Sequence, residues 1–136
     1  MKKLICFIVL LLTIPIFSQQ VEWKTVTWTG DTALSTEVNL GGTNKPIIFA
    51  VASSFTSDTV SYQVYVDNLG TGTWCNLYDE DGAEIISVIT TTVNFAITLK
   101  PQWFAGISRI KIRQGTAASP DEDGEAISGA LGIRKY

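Results

Sequence analysis

The stretch VNFAITLKPQWFAGISRIKIRQ, Val93 to Gln114, decides how the rest of the chain is read. It holds two runs of alternating apolar and polar residues, joined by a corner of Pro101, Gln102, Trp103, Phe104, Ala105 and Gly106. In the second run Ile110 and Ile112 share one face, while Arg109, Lys111 and Arg113 share the other. A period of two is what a half-buried strand produces, because successive side chains alternate across the pleat. Such a strand hides its apolar side only beneath a second layer, so the remaining sequence has to supply a sheet. The expectation is an all-β chain, an antiparallel β-sandwich of jelly-roll-like type with eight to nine short strands.

The flanking sequence carries matching signals. Val21–Trp28 is rich in β-branched and aromatic residues and ends at Gly30 and Asp31. Leu34–Leu40 reads as a second strand, closed by Gly41, Gly42 and Asn44. Pro46–Ala52 is almost continuously apolar, which predicts a central strand covered on both faces. Thr59–Asp67, Trp74–Tyr78, Glu84–Thr91, Val93–Leu99, Ile107–Gln114 and Ala126–Arg134 complete the set. The glycine-rich segment Asn68–Thr73 and the Asp81-Gly82 pair mark turns between them. The alternation predicts a core of Ile48, Phe49, Val51, Tyr62, Val64, Val66, Leu77, Ile86, Phe95, Ile97, Ile110 and Ile112.

The first residues differ in kind. Lys2 and Lys3 precede an apolar run of about 14 residues, Leu4–Phe17, and then Ser18, Gln19 and Gln20. That order reads as a secretory signal peptide over residues 1–19, since about 20 apolar residues are needed to span a bilayer. Residues 20–136 then form one domain with one core, secreted or held at an extracellular surface. Without Lys2 and Lys3 the chain keeps 8 basic and 13 acidic residues, a net charge of −5. An acidic domain with no basic arm repels nucleic acid, and with its leader removed it has no membrane anchor. Cys75 is the sole cysteine after the leader, so no internal disulfide forms; beside Trp74 it reads as a small buried hydrophobe.

The chain contains no histidine. Serine–histidine and cysteine–histidine chemistry is thereby excluded, and a zinc site loses its usual nitrogen ligand. The Asn68–Thr73 loop carries no lysine in the position that cradles phosphate and leads into a strand. The carboxylates cluster in turns, where water solvates them. The expectation is a non-enzymatic protein without a cofactor.

Three groups of residues remain as candidates for binding. The tetrads Asp79-Glu80-Asp81-Gly82 and Asp121-Glu122-Asp123-Gly124 are identical. Carboxylates on a tight turn can ligate calcium, which makes Asp79, Asp81, Asp121 and Asp123 its candidate ligands. Asp-Gly turns also arise for backbone reasons alone, and the tetrads are read as solvent-facing turns with no metal. Arg109, Lys111 and Arg113 can receive an anionic glycan or an acidic protein partner, set against cross-strand pairing with neighbouring carboxylates. Trp74, Tyr78, Tyr65 and Trp103 can form a sugar-stacking platform or fill the core. At the corner, Phe104 is placed inward as a plug and Trp103 outward as the partner-contacting anchor.

Two resemblances attach to these residues. Ser61-Tyr62-Gln63-Val64-Tyr65-Val66, Gly72-Thr73-Trp74 and the Ile107–Arg113 run resemble the discoidin or galactose-binding-like jelly roll. The paired disulfide-forming cysteines of that family are absent here. Tyr62-Gln63-Val64, Asn76-Leu77-Tyr78-Asp79, Phe104-Ala105-Gly106, Ile110-Lys111-Ile112-Arg113, Gly115-Thr116 and Ser119-Pro120 resemble small β-sandwich virion proteins of tailed phages. The second resemblance implies a decoration, fibre or tail-type structural module that self-associates or binds a protein partner in a surface assembly, the virion surface included. The first implies the alternative, a secreted carbohydrate-binding module in adhesion.

Overall fold

The computed structural model describes residues 21–30, 32–41, 45–51, 55, 57–67, 71–90, 94–121 and 127–135. The expected leader, residues 1–19, lies outside them, as does Asp123. Among the described residues no helix is long and apolar enough to cross a membrane.

Among the described residues nine strands form two antiparallel sheets: β1 Val21–Trp28, β2 Val38–Asn39, β3 Lys45–Val51, β4 Thr59–Val66, β5 Thr73–Asn76, β6 Ile86–Val88, β7 Phe95–Thr98, β8 Arg109–Gln114 and β9 Ile127–Arg134. The first sheet runs β1-β9-β3-β7, and the second runs β2-β8-β4-β5 with β6 also on β4. The chain is an antiparallel β-sandwich, as its alternation predicts. β5 and β6 lie end to end along one edge of β4, pairing with Gln63–Val66 and with Thr59–Ser61. Between them the chain leaves the sheet as a small excursion, closed where Tyr78 bridges Glu84. That excursion carries Tyr78, Asp79 and Glu84 to the rim of the second sheet.

The core lies between the inner faces. Trp28, Phe49, Phe55 and Phe95 meet edge to face, with ring centroids 5.5 to 6.4 Å apart. Each such contact adds about 0.5–1.5 kcal/mol to the area term. The Trp28 indole N–H donates to the carbonyls of Ala33 and Ile112, both at 3.2 Å, and so ties β1 to β8 across the sandwich. Tyr62 is fully buried and shares a 2.7 Å hydrogen bond with Ser87. Burial raises its hydroxyl pKa far above the ordinary value, and the serine only partly offsets this.

Several expectations need correction. Val66 and Ile86 are 42% and 39% exposed. Val66 has inward parity but sits at the end of β4, whereas Ile86 pairs with Ser61 and so belongs to the outer face. Leu77 and Ile97 are half-buried against the core, and Ile48 is half-buried on the outer face of β3. β3 is central in its sheet yet covered on one side only, with a bulge between Pro46 and Ile48. The run Leu34–Leu40 is a strand only at Val38–Asn39. Ser35 interrupts it: its Oγ takes the Ile112 N–H at 2.9 Å, where a ladder would use a backbone carbonyl. Cys75 is exposed, because β5 is an edge strand.

Candidate functional site

The outer face of the second sheet gathers chemistry-bearing side chains from three strands. β8 contributes Arg109, Lys111 and Arg113; β4 contributes Ser61, Gln63 and Tyr65; β5 contributes Trp74 and Asn76. The structure brings the three cations to one face, yet each has a different role. Arg113 is buried, only 7% exposed. Its guanidinium donates to Asn76 Oδ1 at 2.8 Å and to Ser61 Oγ and Glu84 Oε1 at 3.4 Å. Glu84 also accepts the Ala117 N–H at 2.9 and 3.0 Å. This ion pair therefore clamps the excursion and the loop after β8 onto the sheet, and its guanidinium is committed to structure.

Arg109 lies 3.5 Å above the Tyr65 ring and pairs with Glu37 at 3.3 Å. Desolvation works against its charge, but Glu37 and Tyr65 outweigh it and raise the pKa. The Tyr65 ring in turn rests over Gly72, where an added Cβ would come 1.7 Å from the hydroxyl oxygen. Lys111 holds its ammonium 4.6 Å from the Trp74 ring, and Trp74 meets Tyr65 edge to face at 5.4 Å. Among the described residues Lys111 is paired with no carboxylate. It is the cation left for an incoming group.

Beside this lattice runs a groove of about 510 Å³, lined by Thr32, Ala33, Leu34, Ser35, Lys111, Arg113, Ala117 and Pro120. Two cations and no carboxylate line it, on a chain whose net charge is −3. Water-mediated or direct contact with an anion is the chemistry this lining supports.

Trp103 stands elsewhere. Pro101–Phe104 forms a 3-10 turn, with the Trp103 N–H on the Lys100 carbonyl at 3.1 Å, and Gly106 takes the φ of 79° that glycine favours. Phe104 is fully buried against Tyr62 at 5.2 Å, the inward plug expected of it. Trp103 is half-buried: it packs against the core on one side and lines a cleft with Tyr78 on the other. The four-ring platform thus divides into two pairs, Tyr65 with Trp74 and Tyr78 with Trp103.

The first acidic tetrad is a hydrogen-bonded turn. Asp79 Oδ1 accepts the N–H groups of Asp81 and Ala83 at 3.1 and 2.8 Å, and Gly82 supplies a φ of 79°. Asp121 donates its N–H to the Gln114 carbonyl at 3.1 Å in the loop after β8. Among the described residues no three His, Cys, Asp or Glu side chains converge as metal ligands. Sequence reasoning missed Glu84 and Asn76 as the partners that remove Arg113 from the surface. Ser61, Gln63 and Tyr65 alternate with the expected core residues Tyr62, Val64 and Val66 and so mark that outer face, but pairing across strands is set by register.

No protein-family model matches the chain, and no curated protein matches it either. Among solved structures, the crystal structure of the Yersinia pseudotuberculosis-derived mitogen is similar at a TM-score of 0.37 and 17% identity, covering 87% of each chain.

Proposed function

We propose that this chain is a non-enzymatic interaction module of an extracellular or virion-surface assembly, and that it offers the groove beside the second sheet to an anionic partner. The observation that carries the reading is the lining of that groove, where Lys111 is paired with no carboxylate among the described residues, while Arg113 is held by Glu84. Attraction to a polyanion has to overcome a net negative chain, so retention on one reports a local site rather than bulk charge. The purified protein is expected to bind immobilised dextran sulfate and not neutral dextran, and Lys111→Glu should abolish that binding without changing the melting temperature. Binding that ignores Lys111→Glu, or no binding at low salt, overturns the reading.

Self-association is a second reading, favoured by the first sheet. Trp23 is 54% exposed and lies over Gly132, where even a methyl group would come within 3.1 Å of the ring. The same sheet has a shallow apolar trough of about 350 Å³ lined in part by Ala50, Ala96 and Ala130. A bulky knob and a small-residue trough on one face, with its charges Lys45 and Arg134 confined to one end, suit a second copy of the chain. Concentration-dependent mass in sedimentation, abolished by Trp23→Ser, is the expected result; a monomer at every concentration removes it.

A further inference from the structure

We propose that the cleft between Tyr78 and Trp103 is a binding site for a neutral saccharide, separate from the anion groove. The cleft encloses about 390 Å³ and is lined by Tyr78, Asp79, Glu80, Ile85, Gln102 and Trp103. That volume is at the small end of ligand pockets, about 300–1,000 Å³, and suits a short segment of a sugar chain.

Both walls are held in place before any ligand arrives. Tyr78 is 49% exposed, but the bridge to Glu84 and the 2.8 Å bond from the Asp79 N–H to the Ala83 carbonyl fix its backbone. Trp103 is set by the 3-10 turn and by its edge-to-face contact with Phe104 at 6.4 Å. Ile85, only 7% exposed, closes the cleft on its core side. A preformed cleft loses little side-chain entropy on binding, which is where flexible sites lose affinity.

The lining selects the ligand by elimination. Two aromatic walls give apolar contact to the C–H faces of a sugar ring, and the exposed Glu80 and Gln102 offer acceptors and an amide donor to its hydroxyls. An anion is disfavoured by Asp79 and Glu80 at the rim. A cationic guest would seek an aromatic face, but the Lys100 ammonium already lies 5.1 Å from the Trp103 ring centroid. A purely apolar segment would use only the two rings and Ile85 and make nothing of the exposed Glu80 and Gln102. A polyhydroxylated neutral ligand engages both the rings and the exposed Glu80 and Gln102.

The test is a titration of the purified protein with neutral gluco-, galacto-, manno- and xylo-oligosaccharides, followed by tryptophan fluorescence and calorimetry to about 10 mM. At least one series is expected to bind, and Tyr78→Ala should weaken it roughly tenfold or more while moving the melting temperature by no more than about 2 °C. Trp103→Phe should retain part of the affinity, and Lys111→Glu should leave it unchanged. No binding by any series, binding indifferent to Tyr78→Ala, or preferential binding of tetramethylammonium chloride overturns the proposal. Loss of saccharide binding on Lys111→Glu would instead assign the ligand to the groove.

Discussion

The two outer faces of the sandwich cover one core and have little else in common. The first sheet shows Val21, Trp23, Thr25 and Thr27 on β1, with Ser128, Ala130 and Gly132 on β9 and Ile48 and Ala50 on β3. The second shows Arg109, Lys111 and Arg113 beside Tyr65, Trp74 and Asn76. On the first, the large ring is left open and its neighbours are small. On the second, every cation is set against a ring or a carboxylate. Alternation determines that residues point outward, but the reach of their neighbours determines whether they stay available.

Both faces depend on the core they share, and the largest expected effect lies there. Ile110→Asp places an unpaired charge in a fully buried position and should leave the chain unfolded in circular dichroism; a folded variant would invalidate both faces at once. Next comes the inequality among the cations. Arg113→Ala strands Glu84 in a nearly buried pair and should cost about 3 kcal/mol in denaturant unfolding, while Lys111→Ala should cost less than about 0.5 kcal/mol. Equal losses would mean that the three cations form a uniform ladder after all.

A matched pair of glycine substitutions sharpens the contrast further. Gly72→Ala drives a methyl group into Tyr65, whose ring is held by Arg109 and Trp74, and should cost about 1 kcal/mol. Gly132→Ala meets Trp23, which is open to solvent and able to give way, and should be close to neutral in the same thermal melt. The smallest effect concerns Glu22, half-exposed on β1. Hydrogen bonding with Lys24, and then with Lys135, lowers its carboxyl pKa from 4.5 to about 2. A depressed carboxylate contributes stability above pH 4.5 that is lost as pH falls towards 2, so Glu22→Gln should flatten the acid limb of the melting curve over that window. A curve of unchanged shape would show that the pair contributes nothing measurable.

Much of the fold is legible in the residues. The bounds of the first strand coincide with those read from Val21–Trp28, and the inward parity of Ile110 and Ile112 follows from period two alone. The inward turn of Phe104 follows too, because a bulky ring before Ala105 and Gly106 has only one side to pack against. What stays hidden depends on the extent of a covering layer. Cys75 and Val66 have inward parity yet lie beyond the cover, and Arg113 has outward parity yet is covered by Glu84 and the loop at Ala117. Parity is local, whereas cover is decided by residues far away in the chain. The candidate site is visible in the sequence as residue types but not as partners, which is why three seemingly equivalent cations resolve into one available lysine.

The pairing of β1 with β9 also has a mechanical consequence. Val21 faces Arg134 at one end of the ladder, and Trp28 faces Ile127 at the other. Tension applied between Val21 and Arg134 loads the antiparallel ladder at a single end, so its cross-strand bonds rupture in sequence, like a zipper. Tension between Val21 and Ile127 would instead shear all eight pairs together and meet far greater resistance. A module loaded through both Val21 and Arg134 should therefore open at low force, and one tethered through only one of them is spared that load.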